Sequence, residues 1–340
     1  MRVAVYGIAK DEAANVGGWS SCKDEADYVL LGDTGSTDRT VEVARDAGVR
    51  TIRLSVSPWR FDDARNAVLA HVPADVDYCV SLDLDERLQP GWRKALEEAV
   101  QSGITRVLYP YVWNWREDGT PGITFLRDHA HPRHGYRWRH PVHEVVEPVP
   151  GVAEVRGEAP GMTVLHFGDQ TKDRTSYLPL LEQAVAEDPY DDRNSHYLAR
   201  EYLFAGRWDR AEDEFRRHLA LPKAIWKPER SASMRYLAEV IWLRRHDLPG
   251  GPEEAEGWYL RAAAEAPEYR EPWYALMQHY LRTNRPLAAV GMARRGCEVT
   301  ERRLDYITTP EPWSGVMEQV GGAHSADAPP GQPALDPASA

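Results

Sequence analysis

Cysteine is scarce in this chain. Cys22, Cys79 and Cys297 are odd in number, far apart, and form no Cys-x-x-Cys pair. That excludes a disulfide framework and a zinc ribbon and fits a reducing compartment. Cys79 sits in an apolar run and reads as core. Long apolar runs are also missing. No stretch of about 18 apolar residues occurs, so no membrane-spanning helix is expected. The opening MRVAVYGIAKDE lacks a basic region followed by a long apolar stretch, so the expectation is a cytoplasmic protein without a secretory signal. A basic surplus is absent too: Lys and Arg total 41 against 53 Asp and Glu, for a net charge of −12. Non-specific nucleic-acid binding through a basic surface is therefore not expected. Such a chain can still bind an anionic nucleotide if a divalent cation and a few local arginines offset the charge.

What is present is organised in blocks. The 340 residues suggest about two domains at roughly 150 residues each. In the first block, short apolar strands alternate with helices. Arg2–Ile8, Tyr28–Leu31, Arg50–Leu54 and Tyr78–Leu82 read as strands, and Glu12–Ser21 and Asp62–His71 as helices. Ser36 or Thr37 can cap a further helix that carries Val41 and Ala44 and stops at Gly48. This rhythm predicts an α/β domain with a mostly parallel sheet and ligands at the carboxyl ends of its strands. From about Ile104 to Phe167 the text turns irregular and rich in Trp, Tyr, His, Arg, Pro and Gly, with strands at Arg106–Trp113 and Met162–Phe167. After Lys172 it is helical to about Arg303. Hairpins turn at Gly206-Arg207, Asp247–Gly251 and Asn284–Pro286, as in a degenerate tetratricopeptide-like all-α array. The expected division is 1–170, 171–305 and a C-terminal segment 306–340, disordered from about 321.

Three segments carry chemistry. In Val80-Ser81-Leu82-Asp83-Leu84-Asp85-Glu86 an apolar strand runs into three carboxylates. Like charges that close call for a cation. Alternation along an extended segment points Asp83 and Asp85 to one side, which suits Mg²⁺ or Mn²⁺ shared with phosphate oxygens. A solvated strand end gives the same pattern. A phosphatase Asp-x-Asp continues with Thr or Val where this chain has Arg87. In Gly32-Asp33-Thr34-Gly35-Ser36-Thr37, Asp33 can accept hydrogen bonds from a base or ribose, or simply shape a strand-to-helix turn. In Arg60–Asn66, Arg65 can grip a diphosphate in bidentate fashion or pair with Asp62 or Asp63.

Taken in order, these segments resemble family-2 glycosyltransferases of the GT-A fold. VAVYGIAKDEA looks like the family's first strand and loop, GDTGSTDRT its Asp-Thr-Gly-Ser-Thr-Asp, FDDARNAVL its Phe-x-x-Ala-Arg-Asn, and SLDLDERL its Leu-Asp-Ala-Asp-Glu. Thr34 stands where many relatives have a second Asp that contacts the base. HPVHEVVEP and the junction TVLHFGDQTKDRTSYLPLLEQAVAEDPYDD resemble a bacterial subgroup with tetratricopeptide helices.

The resemblance implies an inverting, metal-dependent enzyme. It would move sugar from a nucleotide diphosphate donor, by family habit a UDP-sugar, to a protein, peptide or glycan. It places Ile8, Lys10, Glu12, Asp33, Thr34, Arg65, Asn66, Asp83 and Leu84 around the donor. It gives Mn²⁺ or Mg²⁺ to Asp83, Asp85 and His166, the last at the end of an apolar strand. Glu144 is the candidate base; pairing with Arg137 or Arg139 is its structural alternative. Trp113, Trp115, Tyr136 and Trp138 offer faces for sugar or acceptor, and His129, His131 and His134 are expected in a loop bordering the cleft. Two other classes compete. One is a sugar nucleotidyltransferase, which normally has a Gly-rich basic loop where this chain reads Lys10-Asp11-Glu12. The other is a helical scaffold with an inactive first domain.

Overall fold

The computed structural model describes residues 1–168, 177–306 and 309–322. The chain forms two compact units, Met1–Arg174 and Thr175–Ala340.

In the first unit the elements run β1 (Val3–Ala9), α1 (Ala13–Trp19), β2 (Tyr28–Asp33), α2 (Thr40–Asp46), β3 (Arg50–Arg53), α3 (Phe61–His71), β4 (Tyr78–Ser81), β5 (Glu86–Leu88), α4 (Trp92–Gln101), β6 (Arg106–Val112), β7 (Thr124–Pro132), β8 (Tyr136–Arg139), β9 (Val145–Pro148), β10 (Arg156–Glu158) and β11 (Val164–His166). The main sheet has the order β3-β2-β1-β4-β7-β6-β11-β5, with β10 beside β6. The ladders β1–β2, β1–β4, β2–β3, β6–β10 and β6–β11 are parallel; β4–β7, β6–β7 and β5–β11 are antiparallel. This is the mixed, mostly parallel α/β arrangement that the strand–helix rhythm predicts. One face of the sheet buries Val16, Trp19, Trp92 and Leu96 of α1 and α4. The other buries Val68 and Leu69 of α3 with Tyr136 and Trp138 of the β8–β9 hairpin.

Three local expectations need correction. The turn after β2 is capped by neither Ser36 nor Thr37. Asp38 accepts the Thr40 amide hydrogen at 2.8 Å, so α2 starts later. The segment 104–167 is largely sheet, with the nine-residue β7 at its centre. Lastly, His129 and His131 are buried on β7 rather than in a loop, and His134 caps the Ala74 carbonyl at 2.9 Å. Tyr136 and Trp138 are likewise core residues.

His131 belongs to a defined relay. The Trp138 indole donates to the Tyr6 oxygen (2.6 Å), the Tyr6 hydroxyl meets His131 Nε2 (3.0 Å), and His131 Nδ1 meets the Pro132 carbonyl (2.8 Å). A second proton on the ring would oppose the Tyr6 donation, and burial lowers the His131 pKa to about 4. The unfolded chain, with an ordinary value of about 6.5, then binds this proton more readily than the folded one. Stability supplied here is complete above pH 6.5 and falls as pH drops toward 4, by at most about 1.4 kcal/mol per pH unit. Urea melts between pH 7 and 5 check this: the slope should shrink in His131→Gln.

The second unit runs α5 (Tyr177–Glu187), α6 (Asp192–Phe204), α7 (Trp208–Ala220), α8 (Lys227–Arg245), α9 (Gly251–Glu265), α10 (Arg270–Arg282), α11 (Pro286–Cys297) and α12 (Val316–Gly322). Consecutive helices pack in pairs, α6 on α7, α8 on α9, α10 on α11. Two of the turns are made alike. Gly206 and Asn284 take left-handed backbone, and the amides of Arg207 and Arg285 each close on a tyrosine carbonyl, Tyr202 and Tyr280, at 2.8 Å. α12 continues through Gly321 and Gly322; the remainder of the tail expected to be disordered lies outside the described residues.

Candidate active site

The parallel strands β1, β2 and β4 end at Ala9, Asp33 and Ser81, and the acidic row follows β4 directly. Here the structure changes the expected geometry. The chain leaves the strand at Ser81 and folds into a turn, with the Glu86 amide bonded to the Asp83 carbonyl at 2.9 Å. Asp83 and Asp85 therefore do not alternate as in an extended strand, and they face different partners.

Asp83 turns to arginine. Its Oδ1 accepts from Arg65 Nη2 at 2.8 Å and its Oδ2 lies 3.5 Å from Arg127 Nη2. Partial burial pushes this carboxyl up, but the two guanidiniums outweigh it and hold it below the usual range. Asp85 turns to histidine. Because β5 and β11 pair antiparallel with His166 opposite Glu86, His166 Nε2 comes to 3.4 Å from Asp85 Oδ2. Its Nδ1 bonds the Trp113 carbonyl at 2.7 Å, and its ring stacks on Trp113 at 4.5 Å. A backbone carbonyl on Nδ1 leaves Nε2 as the ligating nitrogen, a usual arrangement for metal-binding histidine. Burial lowers the His166 pKa, but Asp85 and the Trp113 carbonyl outweigh it and leave it raised.

Asp83, Asp85 and His166 are thus not one ligand set: among the described residues no three His, Cys, Asp or Glu side chains converge on a metal position. Asp85 and His166 alone fit a hard divalent ion, one carboxylate oxygen and one imidazole nitrogen, with the other positions left to phosphate and water oxygens.

Gly168 is packed against this pair. A Cβ there would stand 2.3 Å from His166 Cε1 and 2.7 Å from Nε2. Gly168→Ala is expected to push the ring off Asp85 and, if a divalent ion is held on this pair, to weaken Mn²⁺ binding about 10- to 100-fold, the range for disturbed ligand support. Calorimetric titration with Mn²⁺ measures it.

Arg65 is buried on α3 and fully engaged. Nε donates to Glu144 (2.5 Å), Nη1 to Ser81 Oγ (3.0 Å) and Nη2 to Asp83 (2.8 Å). It also lies over the Trp138 ring at 4.9 Å. The expected diphosphate clamp is therefore corrected: this guanidinium has its acceptors within the protein. Asn66 is corrected for the same reason. Its amide bonds the Trp138 carbonyl (2.9 Å) and amide (2.8 Å), fastening β8 to α3. Glu144 pairs with Arg65 rather than Arg137 or Arg139; Arg139 pairs with Glu147 at 3.5 Å. The Glu144 loop is anchored to the start of α3 by the Phe61 amide on the Pro141 carbonyl, and His140 and His143 in it have left-handed backbone.

Around the first strand ends, Asp33 is buried and accepts the Ser36 amide at 3.0 Å. Thr34 ties β2 to β1 through the Ala9 carbonyl, its amide at 2.9 Å and its hydroxyl at 3.0 Å. Ile8 is half-buried in β1, Lys10 is exposed just past it, and the Glu12 amide bonds Thr40 Oγ1 at 2.7 Å. Leu84 is buried core.

Two residues that the sequence reading did not place dominate the electrostatics. Glu86 is 2% exposed and gathers the Asp83 amide (2.9 Å), the Tyr111 hydroxyl (2.9 Å) and Arg127. Burial raises its carboxyl even against Arg127. Arg127 comes from β7 and also bonds His129 Nδ1 at 3.1 Å and covers the Tyr111 ring at 4.6 Å. Glu86 was visible as the third carboxylate of the row. Arg127 had no sequence signal beyond its charge. Beside the Asp85–His166 pair, Trp115 and Phe167 stack at 5.5 Å, with Trp115 36% and Phe167 49% exposed.

Residues 19–127 match the family model described as glycosyl transferase family 2. No curated protein matches the chain. Solved structures that align include glucosyl-3-phosphoglycerate synthase from Mycobacterium tuberculosis with Mn²⁺, UDP and glucosyl-3-phosphoglycerate, at 25% identity over 32% of this chain and 44% of that one, TM-score 0.28. The same enzyme with Mg²⁺ and UDP aligns at 25% identity over 32% and 43%, TM-score 0.28. A MamA protein aligns at 14% identity over 36% of this chain and 61% of that one, TM-score 0.30. The chain spans less than half the length of the synthase structures it matches.

Proposed function

Since the chain carries a glycosyl transferase family 2 region at residues 19–127, we propose that it transfers a sugar from a nucleoside diphosphate, by preference UDP, to a protein, peptide or glycan, with inversion. The observation that carries this reading is the Asp85–His166 pair, 3.4 Å apart just beyond the carboxyl end of β4. Asp85 and His166 would hold a Mn²⁺ or Mg²⁺ ion there, and such an ion would supply positive charge to the leaving diphosphate.

The chain's own residues do the rest. Asp83, Glu86, Arg65 and Arg127 form a charge-balanced base that fixes the turn, and with it the direction of Asp85. Lys10 is exposed beyond β1 and forms no ion pair among the described residues, so it is the cation we assign to the donor's phosphates. Asp33 shapes the turn that would receive the nucleoside. In the transfer, an acceptor heteroatom bonds to the anomeric carbon from the face opposite the leaving group. The bond from that carbon to the phosphate oxygen breaks, its electron pair leaves with the diphosphate, and the acceptor proton goes to a base.

Glu144 meets Arg65 through Oε1 in a buried ion pair, so we assign it a positioning role. Glu144→Gln should then lower kcat less than about tenfold and leave the pH profile in place; loss of a general base would cost about 10²–10⁴-fold. A fall of that size, with a lost acidic limb, restores Glu144 as the base.

The test is a donor panel, UDP-glucose, UDP-galactose, UDP-N-acetylglucosamine, GDP-mannose and dTDP-sugars, each with and without Mn²⁺, followed by hydrolysis and by thermal melts. UDP at 100 times its Kd should stabilise the fold by about 2.7 kcal/mol, with Mn²⁺ required. Absence of both hydrolysis and stabilisation for every donor sinks the reading.

A further inference from the structure

Helix α1 is fastened at both ends. At its start the Glu12 amide bonds Thr40 Oγ1 at 2.7 Å and the Ala13 amide bonds Asp38 at 3.1 Å, which fixes the helix to the segment after β2. At its end the Trp19 indole donates to the Leu82 carbonyl at 3.0 Å, where the chain leaves β4 for the acidic turn. A further tie comes from Arg87, the first residue past the acidic row. Its Nη2 donates to the Asn15 carbonyl of α1 at 3.0 Å. Its Nη1 donates to the Leu84 carbonyl at 2.6 Å and the Glu86 carbonyl at 2.8 Å.

The two carbonyls on Nη1 bracket Asp85. The first belongs to the peptide group just before it, the second to the next peptide group but one after it. Peptide groups are planar and stiff, so only the φ and ψ torsions between them are soft. Pinning both groups to one nitrogen restricts those torsions, and with them the direction in which the Asp85 side chain leaves the backbone. Arg65 and Arg127 hold the same turn through the side chains of Asp83 and Glu86; Arg87 holds its main chain.

Charge alone does not account for this arrangement. Three carboxylates stand beside Arg87, yet among the described residues it forms no ion pair and gives its hydrogen bonds to carbonyls. That is work for a rigid planar fork, which a lysine ammonium does not have. Gly18 makes room for the fork. A Cβ there would stand 2.6 Å from Arg87 Cζ and Nη2, whereas at Gly17, one residue earlier on the same helix, it would meet nothing within 4 Å.

We propose that Arg87 is a positioning residue for the transfer, aiming Asp85 through the Leu84 and Glu86 carbonyls and tying that aim to α1 and the segment after β2. The consequence for the reaction rests on the transferase reading; the geometry does not.

Amide hydrogen exchange of the metal-free full chain tests the geometry. The reporters are the Glu86 and Phe167 amides, which bond the Asp83 and Asp85 carbonyls at 2.9 and 2.8 Å. Both should exchange at least about tenfold faster in Arg87→Met, the factor that one charged hydrogen bond is worth. Gly18→Ala, whose new methyl displaces the guanidinium, should do the same without removing it. Amides of the β1–β2 ladder should keep their rates in both. Gly17→Ala, with the same gain in helix propensity, should match wild type throughout. Arg87→Lys should behave like Arg87→Met.

Calorimetric titration of Mn²⁺ into the full chain with UDP present tests the consequence. Binding should weaken at least about tenfold in Arg87→Met and Gly18→Ala, the scale on which groups that orient ligands act. The proposal is overturned by unchanged Glu86 and Phe167 exchange in both variants, or by faster exchange throughout the first unit in both. Full rescue by Arg87→Lys overturns it too, since charge then suffices, as do an equal effect of Gly17→Ala and Mn²⁺ binding equal to wild type. If the wild-type chain binds no Mn²⁺ with UDP, the metal-dependent transferase reading falls instead, and the exchange rates alone decide whether Arg87 aims Asp85.

Discussion

Arg65→Met should destabilise the first unit by about 3–5 kcal/mol, the cost of stranding buried charges by removing their partner. The guanidinium serves Glu144, Ser81 and Asp83 together, and Glu144 has only 9% of its side chain exposed. Asp83 keeps Arg127 at 3.5 Å, so Glu144 is the group left uncompensated. The companion change Glu144→Leu should therefore recover much of the loss. A double-mutant cycle by urea melting checks it, with a coupling above about 1 kcal/mol expected for side chains in direct contact. Additive effects would mean that the pair contributes little beyond its separate residues.

Asp85→Asn is the companion test on the chemistry. Under the proposed function it should lower Mn²⁺-dependent donor turnover at least about a hundredfold, the scale on which one charge-stabilising group acts in an active site. The fold should persist without metal, because loss of the His166 pair is offset by relief of repulsion among Asp83, Asp85 and Glu86. Stopped donor assays with and without Mn²⁺, run beside thermal melts, separate the two effects. Full turnover in the variant sinks the metal assignment; a large drop in Tm would show the pair to be structural instead.

The alternating first block was legible in the sequence because its strands are short apolar runs with clear helix punctuation between them. β4 and α3 lie within one residue of the expected spans. Helix α4 was missed although Trp92, Leu96 and Ala99 form a buried stripe at helical spacing; that stripe is the signal that could have found it. β7 was harder. Its Thr-Phe-Leu-Arg-Asp-His-Ala-His-Pro reads as polar loop, and only the fold shows why a central strand can carry such residues: Arg127 meets Glu86, Asp128 meets Arg106 at 2.7 Å, and His131 meets Tyr6. Each partner is distant in sequence, so no local pattern announces it. In the candidate site, the sequence puts Asp85 and His166 forward from their places by strand ends, and the fold brings their side chains to 3.4 Å. The separate fate of Asp83 could not be read there, because it depends on a turn and on an arginine from another strand.

The antiparallel pairing of β5 with β11 also has a consequence in time. On a growing chain the carboxylate row is made long before His166, and before β7 brings Arg127 to neutralise Glu86. Until then three acids stand together at the end of β4 with Arg65 as the one opposing charge already made among those that later contact Asp83 and Glu86. Closing such distant contacts is the slow part of folding. The half-made domain would therefore have a sheet before it had the Asp85–His166 pair, and a fragment confined to the family-matched stretch 19–127 would retain the acids while lacking the histidine that faces Asp85.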